Sequence, residues 1–336
     1  MQEAAFYEKL DEGRVRCGLC PHRCVLAPGK KGICGVRENH GGRLYTLNYA
    51  RVSSWGFDPV EKKPLYHFCP GTVVFSLGTV GCNFHCEFCQ NWEIARGDVG
   101  ATFELGVEAL IEVLTRQAPP HCVGVAYTYS EPSVWYEYVL AASRGVREKG
   151  YRNVLVTNGF INPEPLAQLL PYVDALNIDV KSFTDSFYRR VVHGEREPVL
   201  RTAIQAKEAG CHVEITTLLV PGLNDGREEL EQLVDWIATH LGSDTPLHFS
   251  RYFPHYRLRL PPTPVETLRR ARELARRKLS FVYLGNVPDA EASTTYCPGC
   301  GRPVVERLGY RVSSSGLADG RCRYCGRRLP FVLEPN

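Results

Sequence analysis

Three cysteines in the run GCNFHCEFCQN, residues 81–91, stand as Cys82, Cys86 and Cys89. Three thiolates within eight residues can wrap one face of a cubane iron–sulfur cluster and leave a fourth iron without a protein ligand. A cluster that only carries electrons normally has four cysteine ligands, and a structural zinc site is closed by four. The missing ligand therefore predicts a substrate or cofactor at the metal. Spacing alone leaves two alternatives: a lone cysteine such as Cys69 completing the set, or a zinc knuckle that borrows a distant fourth ligand.

Two further groups use the same chemistry. Cys297-x2-Cys300 and Cys322-x2-Cys325 are separated by 21 residues, and a glycine, Gly301 or Gly326, follows each pair. This is a zinc-ribbon pattern with slightly long spacing, closed by four thiolates and hence structural rather than catalytic. Near the amino terminus, Cys17, Cys20, Cys24 and Cys34 surround Pro28-Gly29 and Gly32, which favours a looped metal site. Thiolates suit zinc and iron–sulfur clusters alike, so the metal there is unknown, and a second iron–sulfur cluster is one of two readings. These eleven residues belong to a total of 14 cysteines, with Cys69, Cys122 and Cys211 standing alone.

The elements that position the triplet are strand–helix units. Between residues 72 and 285, apolar runs near 73–79, 122–129, 153–157, 174–180, 211–219 and 246–252 alternate with helical patterns, and 281–285 is a candidate seventh strand. In 226–241, Leu230, Leu233, Val234, Ile237 and Leu241 form one apolar stripe. Thr263-Pro264 reads as an N-cap followed by proline at the first helical position. Such a chain predicts an α/β fold, a full or partial (β/α) barrel whose chemistry lies at the carboxyl ends of its strands. Polar clusters fall at those ends: Tyr127 to Glu131, Thr157 to Gly159, Asn177 to Lys181, and Asn224-Asp225.

Composition excludes other classes. The 336 residues are 44% hydrophobic and 23% charged, which is globular rather than disordered or collagen-like. A net charge of +3, from 40 basic and 37 acidic residues, gives no bulk reason to bind nucleic acid or an anionic membrane. No apolar run is long enough for a membrane span, and MQEAAFYEKLDEGR lacks the apolar stretch of a signal peptide. A cytoplasmic location is expected, where reduced cysteines serve metals or catalysis.

CxxxCxxC after the first strand of a βα barrel, with an aromatic before the last cysteine, resembles the signature of the radical S-adenosylmethionine (SAM) superfamily. The resemblance implies an oxidoreductase in which Cys82, Cys86 and Cys89 hold a [4Fe-4S] cluster whose open iron chelates the amino and carboxylate groups of SAM. Reductive cleavage would then yield a 5'-deoxyadenosyl radical that abstracts hydrogen from a substrate, with an electron donor such as flavodoxin or ferredoxin. KKPLYHF at 62–68, GCNFHCEFCQNW at 81–92, YTYSEPSVWYEY at 127–138, TNGF at 157–160, LNIDVKSF at 176–183, TTLLVPGLND at 216–225 and FSRYFPHY at 249–256 are together similar to the AmmeMemoRadiSam-system enzymes. Those are relatives of the pyruvate formate-lyase activating enzymes.

Carried onto this chain, the resemblance places Phe88 along the adenine, Glu131 near the SAM amino group, Lys181 of the Asp179-x-Lys181 pair at the carboxylate, and Asn158 on the same rim. It implies no catalytic residue beyond the cluster ligands. Activating enzymes have Gly-Gly-Glu-Pro where this chain has Tyr129-Ser130-Glu131-Pro132, so Tyr129 would supply a hydroxyl to the pocket. The implied architecture is a partial (β/α)6-type radical SAM barrel over residues 72–290, with a Cys-rich N-terminal module at 1–71 and a zinc-ribbon-like module at 291–336. Implied partners are Memo-like and Ammecr-like proteins, or a glycyl radical enzyme. The competing class is a non-catalytic multi-metal or electron-transfer module.

Overall fold

A computed structural model describes residues 1–333. Its centre is a sheet of eight strands: β1 (Ser54–Pro59), β2 (Val73–Gly78), β3 (Cys122–Tyr127), β4 (Arg152–Thr157), β5 (Ala175–Asp179), β6 (His212–Leu219), β7 (Leu247–Arg251) and β8 (Val282–Gly285). They neighbour one another in chain order, so β1 and β8 are the two edges and the barrel is open. Strands β2 to β8 are all parallel. Parallel strands covered on both faces must be apolar along their length, and Val74 to Gly78 of β2 are all buried.

Six helices make the return crossings: α1 (Val107–Arg116), α2 (Tyr136–Glu148), α3 (Pro163–Leu169), α4 (Arg196–Glu208), α5 (Arg227–His240) and α6 (Val265–Ala275). On α5 the apolar stripe Leu230, Leu233, Val234 and Ile237 is buried against the sheet layer. Helix α6 starts later than the Thr263-Pro264 pattern implies. Thr263 does not cap it, because its hydroxyl donates to the Leu219 carbonyl (2.6 Å) and accepts from the Tyr252 amide (3.0 Å), tying the β6 and β7 ends together.

The flanking segments are joined to the sheet rather than strung beside it. Residues 54–59, within the first 71, pair antiparallel with β2 along its whole length. Upstream lie two small three-stranded antiparallel sheets, and this segment meets α2 through Ala5, Phe6 and Arg37. There Arg37, 1% exposed, forms an ion pair with Glu137, whose carboxylate also accepts the Ala5 amide at 2.8 Å. A lone buried guanidinium would be strongly destabilising, so this pair specifies how the segment docks.

The C-terminal segment forms short antiparallel strands and shares a core with Phe281 and Tyr283. It also pairs Phe68 with Val332 and donates from Arg307 to the Tyr66 carbonyl at 2.6 Å. These contacts lie at the amino ends of the strands. There Glu214 receives Nε2 of His212 (2.9 Å), Nε2 of His248 (2.6 Å) and the His67 amide (2.7 Å). Burial opposes its charge, but the two histidines hold its carboxyl well below the usual range. Among the described residues, no helix is long and apolar enough to cross a membrane.

Candidate active site

At the carboxyl ends of β2 to β8 the sheet opens into a cavity of about 320 Å³. Each strand contributes to its wall or rim: the 82–91 loop after β2, Thr128 to Glu131 after β3, Thr157 and Asn158 at β4, Asp179 and Lys181 at β5, Thr216 and Leu218 on β6, Ser250 on β7 and Asn286 after β8. A parallel sheet must do this, since every strand runs the same way and every following loop emerges on one side. Cys82, Cys86, Cys89, Phe88, Tyr129, Glu131, Asn158, Asp179 and Lys181 all line this one cavity.

The three cysteines lie on a loop fastened from several sides. The His85 and Glu87 amides donate to the carbonyls of Val192 and Val191, both at 3.0 Å, and Glu87 accepts at its own carbonyl from the amides of Arg257 and Leu258. Arg96 donates to the carbonyls of Cys82 (3.4 Å) and Phe84. Burial pushes the Cys86 thiol up to about 12, with nearby Lys181 acting in the opposite direction. Burial likewise raises Cys82, aided by Glu131 and Cys86. Such thiols lose their protons when a metal replaces them.

Among the described residues, no further cysteine joins this wall. Cys69, considered as a fourth ligand, sits in a separate buried cluster with Val60, Leu65 and Phe68, at the start of β2 rather than its end. The zinc-knuckle alternative would need the three sulfurs and a distant fourth ligand gathered around one ion. A tetrahedral site with Zn–S of about 2.3 Å needs sulfurs mutually about 3.8 Å apart. Among the described residues, the group whose ligand atoms all lie within 4.8 Å is Cys297, Cys300, Cys322 and Cys325, and the triplet is not drawn together in that way. The donor set therefore fits a cluster larger than one ion with an open corner toward the cavity.

The other walls carry opposite charges at fixed places. Lys181 Nζ lies 2.8 Å from Asp179 Oδ2. Burial alone would depress the lysine, but Asp179 and then Cys86 push it above its ordinary value, so it is cationic. Glu131, 2% exposed, accepts at Oε1 from the Ser133 amide (2.9 Å) and the Thr157 hydroxyl (2.7 Å), and at Oε2 from the Asn158 amide (2.7 Å). Desolvation raises its pKa and these donors oppose the rise. A carboxylate has about four acceptor positions, so Oε2 retains capacity toward the cavity. Asn158 Nδ2 donates to Asn83 Oδ1 (2.9 Å) and lies 3.7 Å from Cys82 Sγ, bridging the β4 end to the triplet.

Tyr129 takes φ +69°, the left-handed conformation that glycine reaches without steric cost. The turn before Glu131 thus keeps a glycine-like shape despite its tyrosine. The hydroxyl donates to Asp58 Oδ2 at 2.8 Å, and Lys63 Nζ sits 2.8 Å from the same oxygen and 4.8 Å from the ring centre. Burial would raise Asp58, but Lys62, Lys63 and Tyr129 hold it well below the usual carboxylate range. Sequence reasoning missed Asp58, Lys63 and Asn83, which do not line the cavity but hold Tyr129 and Asn158, which do. The adjacent lysines of KKPLYHF were the available signal, but nothing local shows that Asp58, opposite Val74 near the start of β2, lies within reach of the Tyr129 hydroxyl.

The four ribbon sulfurs form two pairs at 3.6 Å. Gly301 and Gly326, at φ +72° and +75°, return their amides to the carbonyls of Cys297 and Cys322, each at 2.8 Å. That is knuckle geometry, and the spacing suits a single tetrahedral ion.

Comparison with known proteins gives a consistent result. The family described as the Radical SAM superfamily matches residues 76–237. An uncharacterized protein of Methanocaldococcus jannaschii is 46% identical over 99% of this chain and 100% of its own. The pyruvate formate-lyase-activating enzyme of Clostridium pasteurianum is 27% identical, over 49% of this chain and 68% of that enzyme. Among solved structures, Streptococcus suis SuiB bound to S-adenosylmethionine superposes with a TM-score of 0.51 at 14% identity, covering 64% of this chain and 52% of that one. At that identity the likeness concerns the fold.

Proposed function

The chain belongs to the radical SAM superfamily, and from that premise we propose that it cleaves SAM reductively and abstracts hydrogen from a substrate, with Cys82, Cys86 and Cys89 holding a [4Fe-4S] cluster. The observation that carries this reading is one cavity at the strand ends bearing three cysteines, a cation and an anion on separate walls. When bound there, cluster and SAM together supply one-electron cleavage to methionine and a 5'-deoxyadenosyl radical.

The chain's own residues bind and orient. Lys181 faces the SAM carboxylate and is held in place by Asp179, so its charge is presented without a search over rotamers. Glu131 receives the SAM ammonium on Oε2. Phe88, 4% exposed, offers an apolar wall to the adenine, and Asn158 sets the distance between Glu131 and the cluster loop. Burial keeps water from the reacting centre, which a radical intermediate requires. Tyr129, its hydroxyl held by Asp58, lines the cavity wall. The ribbon cysteines hold a structural Zn²⁺ at the opposite end of the sheet.

Within the superfamily, the ordered strings from residue 62 to 256 support an AmmeMemoRadiSam-system enzyme. The activating-enzyme relatives support a second reading, a glycyl radical formed on a protein partner. The test is anaerobic reconstitution with iron and sulfide, reduction, addition of SAM and measurement of 5'-deoxyadenosine. Formation is expected, and none above background overturns the proposal. Deuterium recovered in 5'-deoxyadenosine from a labelled small molecule or a glycine-labelled partner separates the two readings.

A further inference from the structure

The radical SAM reading leaves the N-terminal cysteines without a role. Cys17, Cys20, Cys24 and Cys34 come from separate short strands and loops, yet all four line one small enclosed cavity with Leu19, Ile33 and Val134. Convergence of all four cysteines between residues 17 and 34 is more than packing requires. Their sulfurs are not gathered as the ribbon's are, within 4.8 Å of one another. Gly32 stands between two of them: a Cβ there would lie 3.7 Å from Cys24 Sγ and 3.8 Å from Cys34 Sγ. In this they resemble the Cys82 triplet, not the ribbon. One zinc ion draws four thiolates to about 3.8 Å, whereas a cubane holds them apart on its outer corners. Arg37 Nη1 lies 3.7 Å from Cys17 Sγ, a buried donor of the sort that tunes a cluster through its sulfurs.

The cavity is also built against the triplet loop. His22 Nε2 pairs with the Asn83 carbonyl at 2.8 Å, and His85 Nε2 with the Ile33 carbonyl at 3.1 Å. Gly81, directly before Cys82, is pressed so closely that a Cβ would meet Val36 Cγ1 at 2.7 Å and the Cys34 carbonyl oxygen at 3.0 Å. The backbone of one candidate ligand therefore touches the residue beside another.

We propose that Cys17, Cys20, Cys24 and Cys34 hold a second iron–sulfur cluster, through which one electron from a low-potential protein donor reaches the cluster on Cys82, Cys86 and Cys89. The donor is oxidised by one electron, the N-terminal cluster is reduced and reoxidised, and the catalytic cluster is reduced by one. No bond or proton changes place. Four cysteines leave no open iron, so this centre carries electrons and does not bind SAM.

The inference rests on the radical SAM reading only for its electron acceptor. The full chain is reconstituted anaerobically as wild type, as a Cys20→Ser/Cys24→Ser variant, and as a Cys82→Ala/Cys86→Ala/Cys89→Ala variant. About eight irons and one zinc are expected in the first, and about four irons and one zinc in each of the others. Four irons with two zincs in the wild type overturns the site, as does loss of all iron from the triplet variant. That second measurement does not require the first variant to fold. With dithionite, the Cys20→Ser/Cys24→Ser variant should form 5'-deoxyadenosine at the wild-type rate. With reduced flavodoxin or ferredoxin it should be at least tenfold slower, and equal rates overturn the relay. Eight irons but no SAM cleavage by the wild type would leave the cluster assignment standing and sink the proposed function instead.

Discussion

The ribbon and the triplet loop use the same side chain in similar short spacings, and the structure treats them oppositely. In the ribbon, four sulfurs lie within 4.8 Å of one another, and the knuckle turns that aim them close within a few residues of each pair. The triplet loop supplies three sulfurs that are not gathered in this way, and its wall is completed by Glu131, Asn158, Asp179 and Lys181 from three other strand ends. A closed site is a local object and a structural one. An open site is unfinished locally, and what finishes it is the barrel; that incompleteness is what makes it a place for chemistry.

The sharpest way to break this contrast is to remove one sulfur from each side. Cys86→Ala should bring 5'-deoxyadenosine formation down to background, because one of only three protein ligands is gone, while zinc content is unchanged. Cleavage at the wild-type level would end the distinction. Cys297→Ser should release the zinc and cost about 4 kcal/mol of stability or more, in the range seen for loss of a structural metal, read as a fall in Tm. The folded fraction should form 5'-deoxyadenosine normally, since the ribbon meets the amino ends of the strands.

A smaller effect tests how the open site is completed. Lys181→Ala should weaken SAM binding by about 2 kcal/mol, the low end for truncating one partner of a buried charge pair, and leave Asp179 uncompensated. Equilibrium binding to the reconstituted protein measures it, and unchanged affinity would remove β5 from the SAM pocket.

The smallest effect lies at the junction between ribbon and barrel. Burial holds His67 down at about 3, from an ordinary 6.5, where it stacks on Phe331 with ring centres 4.2 Å apart. The unfolded chain binds a proton below about 6.5 that the folded chain refuses, so this contribution to stability is lost as pH falls from about 6.5 toward about 3. Between about pH 7.5 and 5.5 it should cost about 1.4 kcal/mol. Chemical denaturation at the two pH values measures the loss, and His67→Phe should flatten that part of the profile. An unchanged slope would mean that His67 is not what couples the ribbon to the barrel.

Sequence alone determined what local spacing controls. Seven apolar runs became the seven parallel strands because a strand covered on both faces has no other composition available to it. The α5 stripe became a buried helix face, and the ribbon's CxxC-Gly repeats contain their own turn geometry. The triplet was legible for the same reason: three ligands within eight residues are a property of one loop. Tertiary structure decided everything that depends on register between distant elements. It set Asp58 of β1 beneath Tyr129, a pairing across 71 residues that no periodicity encodes. It took Thr263 from its cap to join two strand ends, since a buried hydroxyl is worth more where it satisfies groups that would otherwise be orphaned. It also laid the Cys34 backbone against Gly81. Cysteine spacing shows which thiols are near in the chain, but whether they close on one ion or stand apart around a larger centre is set by the surfaces packed behind them.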